Sequence, residues 1–85
     1  MKADLTDPED FDVSSAGIVR GQRARLLRKI RRTTGLSQKA FSERLRVPVR
    51  TLQQWEQARA TAPEIAVAFA CVLANEPEAV ERALA

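Results

Sequence analysis

The sequence predicts an all-α fold of five short helices, preceded by an acidic N-terminal tail that is disordered when free. Three observations carry this reading. Apolar residues recur at helical spacing, and no stretch alternates apolar and polar residues as a half-buried strand does. Gly35, Pro48 and Pro63 interrupt the pattern at short intervals, leaving links of only a few residues. A chain of 85 residues supports a single modest core, so residues 15–85 are read as one domain and residues 1–14 as the tail.

Residues 1–13, MKADLTDPEDFDV, hold five carboxylates, a proline and few large apolar groups, too little to offset chain entropy by burial. Ser14 or Ser15 can cap the first helix. Gly17 and Gly21 each weaken a helix interior by roughly 1 kcal/mol relative to Ala, so its firm part is Gln22 to Thr33. Its inward stripe is Leu26, Leu27 and Ile30, with Leu36 just beyond Gly35, a residue suited to a left-handed helix end. Ser37 caps the second helix, which turns Ala40, Phe41 and Leu45 to one face. Pro48 forces Val47 toward an extended backbone and so ends that helix. It also fits the first turn of the third helix, where its missing N–H leaves no partner unmet. That helix reaches Gln57, with Leu52 and Trp55 inward. The C-terminal helices occupy residues 62–85. The fourth starts around Pro63 and Glu64 and presents Ile65, Phe69, Val72 and Leu73. Asn75, with Glu78 three residues on, resembles a capping box for the fifth, whose apolar residues are Val80, Ala83 and Leu84.

Charge is distributed unevenly along the chain. Residues 1–19 set Lys2 against five acids, net −4; residues 20–59 set twelve Arg or Lys against Glu43 and Glu56, net +10; residues 60–85 are net −3. A basic block between two acidic ends points to a polyanion for the middle and a basic partner for an end. With no histidine and the lone Cys71 in an apolar run, the chain lacks an acid–base constellation and a transition-metal ligand set. It is read as a non-enzyme without a cofactor. No apolar run approaches the roughly 20 residues that span a bilayer, and the N-terminus is unlike a signal peptide, so a cytoplasmic location is expected.

The third helix carries the most specific signal. Arg50, Gln53, Gln54 and Gln57 lie at i, i+3, i+4 and i+7, on the face opposite Leu52 and Trp55. Two helices joined by a short link, the second with an outward polar stripe, is the arrangement that sets a recognition helix in the DNA major groove. Arginine can donate twice to guanine O6 and N7, glutamine can pair with adenine N6 and N7, and Val49 could meet a thymine methyl.

The stretch GLSQKAFSERLRVPVRTLQQWEQ resembles the helix-turn-helix core of phage repressor and Cro-like transcription regulators, in which Gly-Leu-Ser-Gln opens the first motif helix and Trp-Glu closes the second. The resemblance covers residues 22–73, with the motif at 37–57. It implies that Gln38 contacts the DNA backbone and that Val49, Arg50, Thr51, Gln53 and Gln54 approach bases or nearby phosphates. Lys39, Arg46 and Arg59 are further DNA-binding candidates, Arg46 and Arg59 because cations flanking the groove neutralise phosphates. A buried or half-buried pair, Arg31 with Glu56, is implied as architecture. Two positions depart from the family pattern. Arg46 stands where the turn usually has Gly, at a strain of roughly 1–2 kcal/mol if left-handed. Ala58 replaces the usual helix-ending Gly, so the third helix could run on toward Ala60.

A looser similarity links VRTLQQWEQARATAPEIAVAFACVLANEPEAVERAL to HigA-like antitoxins of toxin–antitoxin operons. It implies a repressor of its own operon that neutralises a basic, RelE-like RNase toxin, with Leu5, Phe11 and Val13 of the tail as the toxin-binding candidates. A homodimer on a palindromic double-stranded operator is expected, because two-fold symmetry matches two half-sites. The basic cluster Arg20, Arg23, Arg25, Arg28, Lys29, Arg31 and Arg32 is expected to supply several phosphate contacts. Trp55 and Cys71 are read as core. The alternatives are a free-standing phage-type regulator and a helical protein-interaction adaptor without specific DNA binding.

Overall fold

The computed structural model describes residues 14–85, which form α1 (Ser15–Thr34), α2 (Gln38–Leu45), α3 (Val49–Glu56), α4 (Glu64–Asn75) and α5 (Pro77–Leu84) and, in that span, no strand. The tail, with Leu5, Phe11 and Val13, lies outside the described residues. Ser14 caps α1 by accepting from the Gly17 N–H at 3.1 Å. The cap lets α1 start well before Gln22 and run through both glycines for 20 residues. A Cβ at Gly21 would meet only an Arg25 guanidine nitrogen at 3.9 Å, so packing does not require glycine there.

Three helices end on a left-handed residue, and only one of these is glycine. Gly35 has φ 73° and donates to the Arg32 carbonyl at 3.2 Å. Arg46 has φ 64°; its N–H reaches the Glu43 carbonyl at 3.2 Å, and the Val47 N–H reaches that of Ser42 at 3.0 Å. Ala58 has φ 59°, with its N–H on Trp55 O at 3.2 Å and the Arg59 N–H on Gln54 O at 2.9 Å. Both non-glycine ends thus close the paired Schellman bonds, which satisfy otherwise orphaned carbonyls. The third helix stops at Glu56 rather than running on to Ala60. The hydrogen bonds gained hold an alanine in a region that normally costs it roughly 1–2 kcal/mol.

Ser37 caps α2 through the Ala40 N–H at 3.1 Å. Pro48 is the N-cap of α3, one residue before the first turn, and its carbonyl accepts from Leu52 N–H at 3.2 Å. The anticipated Asn75–Glu78 capping box does not form. Asn75 is the last residue of α4 and turns back to the Cys71 carbonyl at 2.8 Å, while Glu76 takes the N-cap position of α5 without a side-chain bond.

The core gathers Leu27 and Ile30 from α1, Phe41 and Leu45 from α2, Leu52 and Trp55 from α3, and Val67, Ala70 and Leu73 from α4, with Val80 of α5 closing one end. α1 packs on α3 and α4, α2 packs on the same pair, and α5 rests on α4. Cys71 is half-buried against this core. Three residues expected inward are not. Leu26 is 42% exposed and Ala24 fills the stripe instead; Ile65 and Val72 are 79% and 49% exposed. α4 is apolar around its whole circumference: Val67, Ala70 and Leu73 meet the core, Phe69 is half-buried against it, and Ile65 and Val72, at i and i+7, turn outward.

Candidate nucleic-acid interface

α3 is seated by its inner face. Leu52, Trp55 and Glu56 are buried there, at 0%, 9% and 3% exposure. A buried carboxylate needs partners, because moving an unpaired charge out of water costs several kcal/mol. Glu56 has them. Arg31 Nε donates to Oε2 at 2.8 Å and Arg31 Nη2 donates to Oε1 at 3.1 Å, a bidentate fork. Gln38 Nε2 also donates to Oε1, at 3.0 Å, and Arg28 Nη1 donates to the Glu56 backbone carbonyl. Arg31 adds a longer bond to the Leu36 carbonyl at 3.3 Å. This cluster ties α1, the start of α2 and the end of α3 together at one point.

Hydrogen bonding to Glu56, outweighing the opposing effect of burial, raises the Arg31 guanidinium above its ordinary pKa. A raised value means that the arginine's share of the stabilisation is complete at every pH below the ordinary guanidinium value and is lost only above it.

With Glu56 and Trp55 held inside, the opposite side of α3 faces out. Arg50, Gln54 and Gln57 are exposed, Val49 and Thr51 are half-buried at the flanks, and Gln53 is half-buried on the side toward α2. Lys39 at the start of α2, Arg46 in the turn and Arg59 beyond α3 are exposed. Gln38 and Gln53 are less free than their spacing implied. Gln53 Nε2 donates to Gln38 Oε1 at 3.5 Å, so both amides belong to the chain of bonds that begins at Glu56.

The basic cluster of α1 divides by task. Arg31 and Arg28 hold Glu56, and Arg23 Nη1 donates to the Ala62 carbonyl at 2.9 Å, pinning the link between α3 and α4. Arg25, Lys29 and Arg32 project into solvent. Sequence reasoning missed the roles of Arg23 and Arg28, since their carbonyl partners lie 39 and 28 positions away and have no side-chain signature. A faint signal did exist for the hub, because Glu56 is one of two acids in a block of twelve cations. Among the described residues, no group of His, Cys, Asp or Glu could hold a metal ion, and no helix is long and apolar enough to cross a membrane.

A family model described as helix-turn-helix matches residues 27–79, more than half of the 85-residue chain. No curated protein and no solved structure matches the chain. The matched span takes in all of α2, α3 and α4, including the left-handed turn between α2 and α3 and the buried carboxylate that seats α3. The chain therefore belongs to the helix-turn-helix family of phage-repressor and Cro-like DNA-binding regulators.

Proposed function

We propose that the protein is a sequence-specific transcriptional repressor that binds a palindromic double-stranded operator as a homodimer, with α3 in the major groove. One observation carries the reading: a helix anchored from inside by a buried, fully partnered carboxylate presents Arg50, Gln54 and Gln57 outward, with Arg46 and Arg59 exposed at its two ends. Arg50 and Gln54 read base edges, Val49 and Thr51 lie along the groove wall, and Lys39, Arg46 and Arg59 meet phosphates. Arg25, Lys29 and Arg32 add to the phosphate-facing charge. Gln38 serves chiefly to steady α3 from α2.

The apolar face formed by Phe69, Val72, Ala79, Ala83 and Leu84 around a groove between α4 and α5 supports self-association, since exposed apolar surface of this kind is normally covered by a partner. Two-fold pairing would set two α3 helices about one DNA turn apart.

The repressor is also proposed to be the antitoxin of a type II toxin–antitoxin pair, neutralising a basic RelE-like RNase toxin through Leu5, Phe11 and Val13. The similarity of residues 49–84 to HigA-like antitoxins supports this, as does the net −4 of residues 1–19, which complements a basic protein.

Operator affinity measured between about 50 and 200 mM salt tests the DNA reading; it should fall by orders of magnitude while one palindrome stays preferred. Uniform binding to all duplexes would favour the adaptor reading. Deleting residues 1–13 should leave DNA binding intact and weaken capture of a co-encoded basic toxin. Undiminished capture would move the toxin site elsewhere, and absence of any such neighbouring gene would leave a free-standing regulator.

A further inference from the structure

We infer that the acidic segment 1–13 folds back on its own chain against the exposed cations at the two ends of α3, Arg50 and Arg59, and so covers, in the free protein, the face proposed for DNA. The contact stands on charge and reach. Only its consequence for binding rests on the proposed placement of α3 on DNA.

The basic surface is not compensated by the folded domain. Residues 20–59 carry a net charge of +10 and hold only two acids. Glu56 is buried and taken up by Arg31 and Gln38, and Glu43 lies on α2. The other described acids, Glu64, Glu76, Glu78 and Glu81, belong to α4 and α5. Arg50 and Arg59 are exposed, and neither pairs with a described carboxylate. Cations crowded on one small domain repel each other, so an anion close by is favoured. Residues 1–13 supply it: Asp4, Asp7, Glu9, Asp10 and Asp12 against Lys2, net −4.

The fold puts both ends of α3 within reach of that segment, which joins α1 at Ser14. Arg23 follows about 14 Å along the helix axis, and its guanidinium holds the Ala62 carbonyl at 2.9 Å. This bond draws the link that carries Arg59 beside the first half of α1. α3 meets α1 at Arg28 and Arg31, about 21–26 Å from Ser14. Thirteen residues span at most about 45 Å, enough to pass Arg59 and arrive at Arg50. A tether of this length keeps the carboxylates at a millimolar effective concentration. Exposed ion pairs are weak singly, yet two or three of them held at that concentration compete with a duplex for the same cations. A competitor in the same chain lowers affinity for every duplex by one factor. It therefore discounts non-specific binding and leaves the preferred sequence unchanged. DNA binding does not depend on the segment and survives its removal.

Wild type is compared with a chain carrying Asp4→Asn, Asp7→Asn, Glu9→Gln, Asp10→Asn and Asp12→Asn, which touches no residue of the folded domain. In DNA-free solution at about 50 mM salt, the NMR signals of the Arg50 and Arg59 Nε–H groups and of the Gln57 amide should differ between the two chains. They should converge near 1 M salt, where the screening length falls to about 3 Å. With DNA, the neutralised chain should bind operator and unrelated duplexes alike about three- to tenfold more tightly at about 50 mM salt. The gap should narrow by about 200 mM, since salt weakens the internal contact as well as the external one. Differences confined to the first turns of α1 overturn the inference, as do differences at Arg50 and Arg59 that fade on dilution, which would place the segment of another molecule there. Tighter binding without any change at α3 also overturns it, because the acids then merely repel DNA. Equal affinities and equal spectra, with one palindrome still preferred, sink the contact and leave the DNA reading standing. Changes at Arg50 and Arg59 in a protein that binds no duplex uphold the contact and sink the DNA reading instead.

Discussion

Replacing Glu56 by alanine removes the acceptor of three side-chain bonds, two from Arg31 and one from Gln38. The carboxylate is 3% exposed and the Arg31 side chain 19%, so water cannot readily take over the lost contacts. Breaking a buried pair from one side costs roughly 3–5 kcal/mol, chiefly because the surviving charge is stranded. Arg31 keeps some solvent and a long bond to the Leu36 carbonyl at 3.3 Å, which places the expected loss at the lower end, about 3 kcal/mol. At 0.05–0.15 kcal/mol per residue a domain of this size is stable by about 4–13 kcal/mol, so the substitution takes a large share of the total. The single tryptophan, Trp55, is buried beside Glu56 and reports unfolding by fluorescence. In urea, with a slope near 1 kcal/mol/M, the midpoint should fall by roughly 3 M at unchanged slope. Arg31→Met alone should also destabilise, because it strands the carboxylate. Arg31→Met combined with Glu56→Leu should lose less than the two single losses together, by at least about 2 kcal/mol, since neither charge is then left alone. A loss below about 1 kcal/mol for Glu56→Ala, or strictly additive single losses, would refute the view that this cluster seats α3.

Other perturbations separate backbone strain, readout and surface. Gly21→Ala should raise stability by about 1 kcal/mol, read as a rise of roughly 4–8 °C in melting temperature, because the added methyl meets no obstacle. Ala58→Gly should stabilise by about 0.5–1 kcal/mol, the strain released at φ 59° less the entropy of a freer unfolded chain. Arg50→Ala and Gln54→Ala should each weaken operator binding by about 1–3 kcal/mol and relax selectivity, whereas Arg25→Ala and Arg32→Ala should weaken binding to all duplexes alike and flatten the salt dependence. Arg28→Ala should act on melting temperature rather than on DNA alone, because its guanidinium holds the end of α3. Ile65→Ser, at a 79% exposed site, should change monomer stability by less than about 0.5 kcal/mol, and sedimentation should then reveal whether the outer face of α4 holds a dimer together.

The positions of the helices were legible in the chain because the signals that set them are local. Ser14 and Ser37 at helix starts, Gly35 at an end and Pro48 between two helices act within four residues of themselves: the two serine hydroxyls cap α1 and α2, Gly35 closes α1 at φ 73°, and Pro48 stands at the N-cap of α3, one residue ahead of the first turn. The outward stripe of α3 was legible for the same reason, since Leu52 and Trp55 leave only one face for Arg50 and Gln54. The glycines of α1 misled in the opposite sense: their propensity cost is real, yet the Ser14 cap and the packing of Ala24 and Leu27 outweigh it.

What the tertiary structure alone decided is which of several equivalent surfaces is used. α4 is apolar on all sides, so periodicity could not say whether Val67 or Ile65 meets the core; the position of α1 and α2 on one side settles it. Seven cations of α1 look alike in the chain, but Arg23, Arg28 and Arg31 are drawn inward by a carboxylate and carbonyls brought close only by folding, while Arg25, Lys29 and Arg32 keep their water. The link from Glu56 through Gln38 to Gln53 joins residues up to 18 positions apart, and its direction exists only once they meet. Local sequence determines which backbone segments can form; the desolvation cost of a buried charge determines which side chains must then turn to face it.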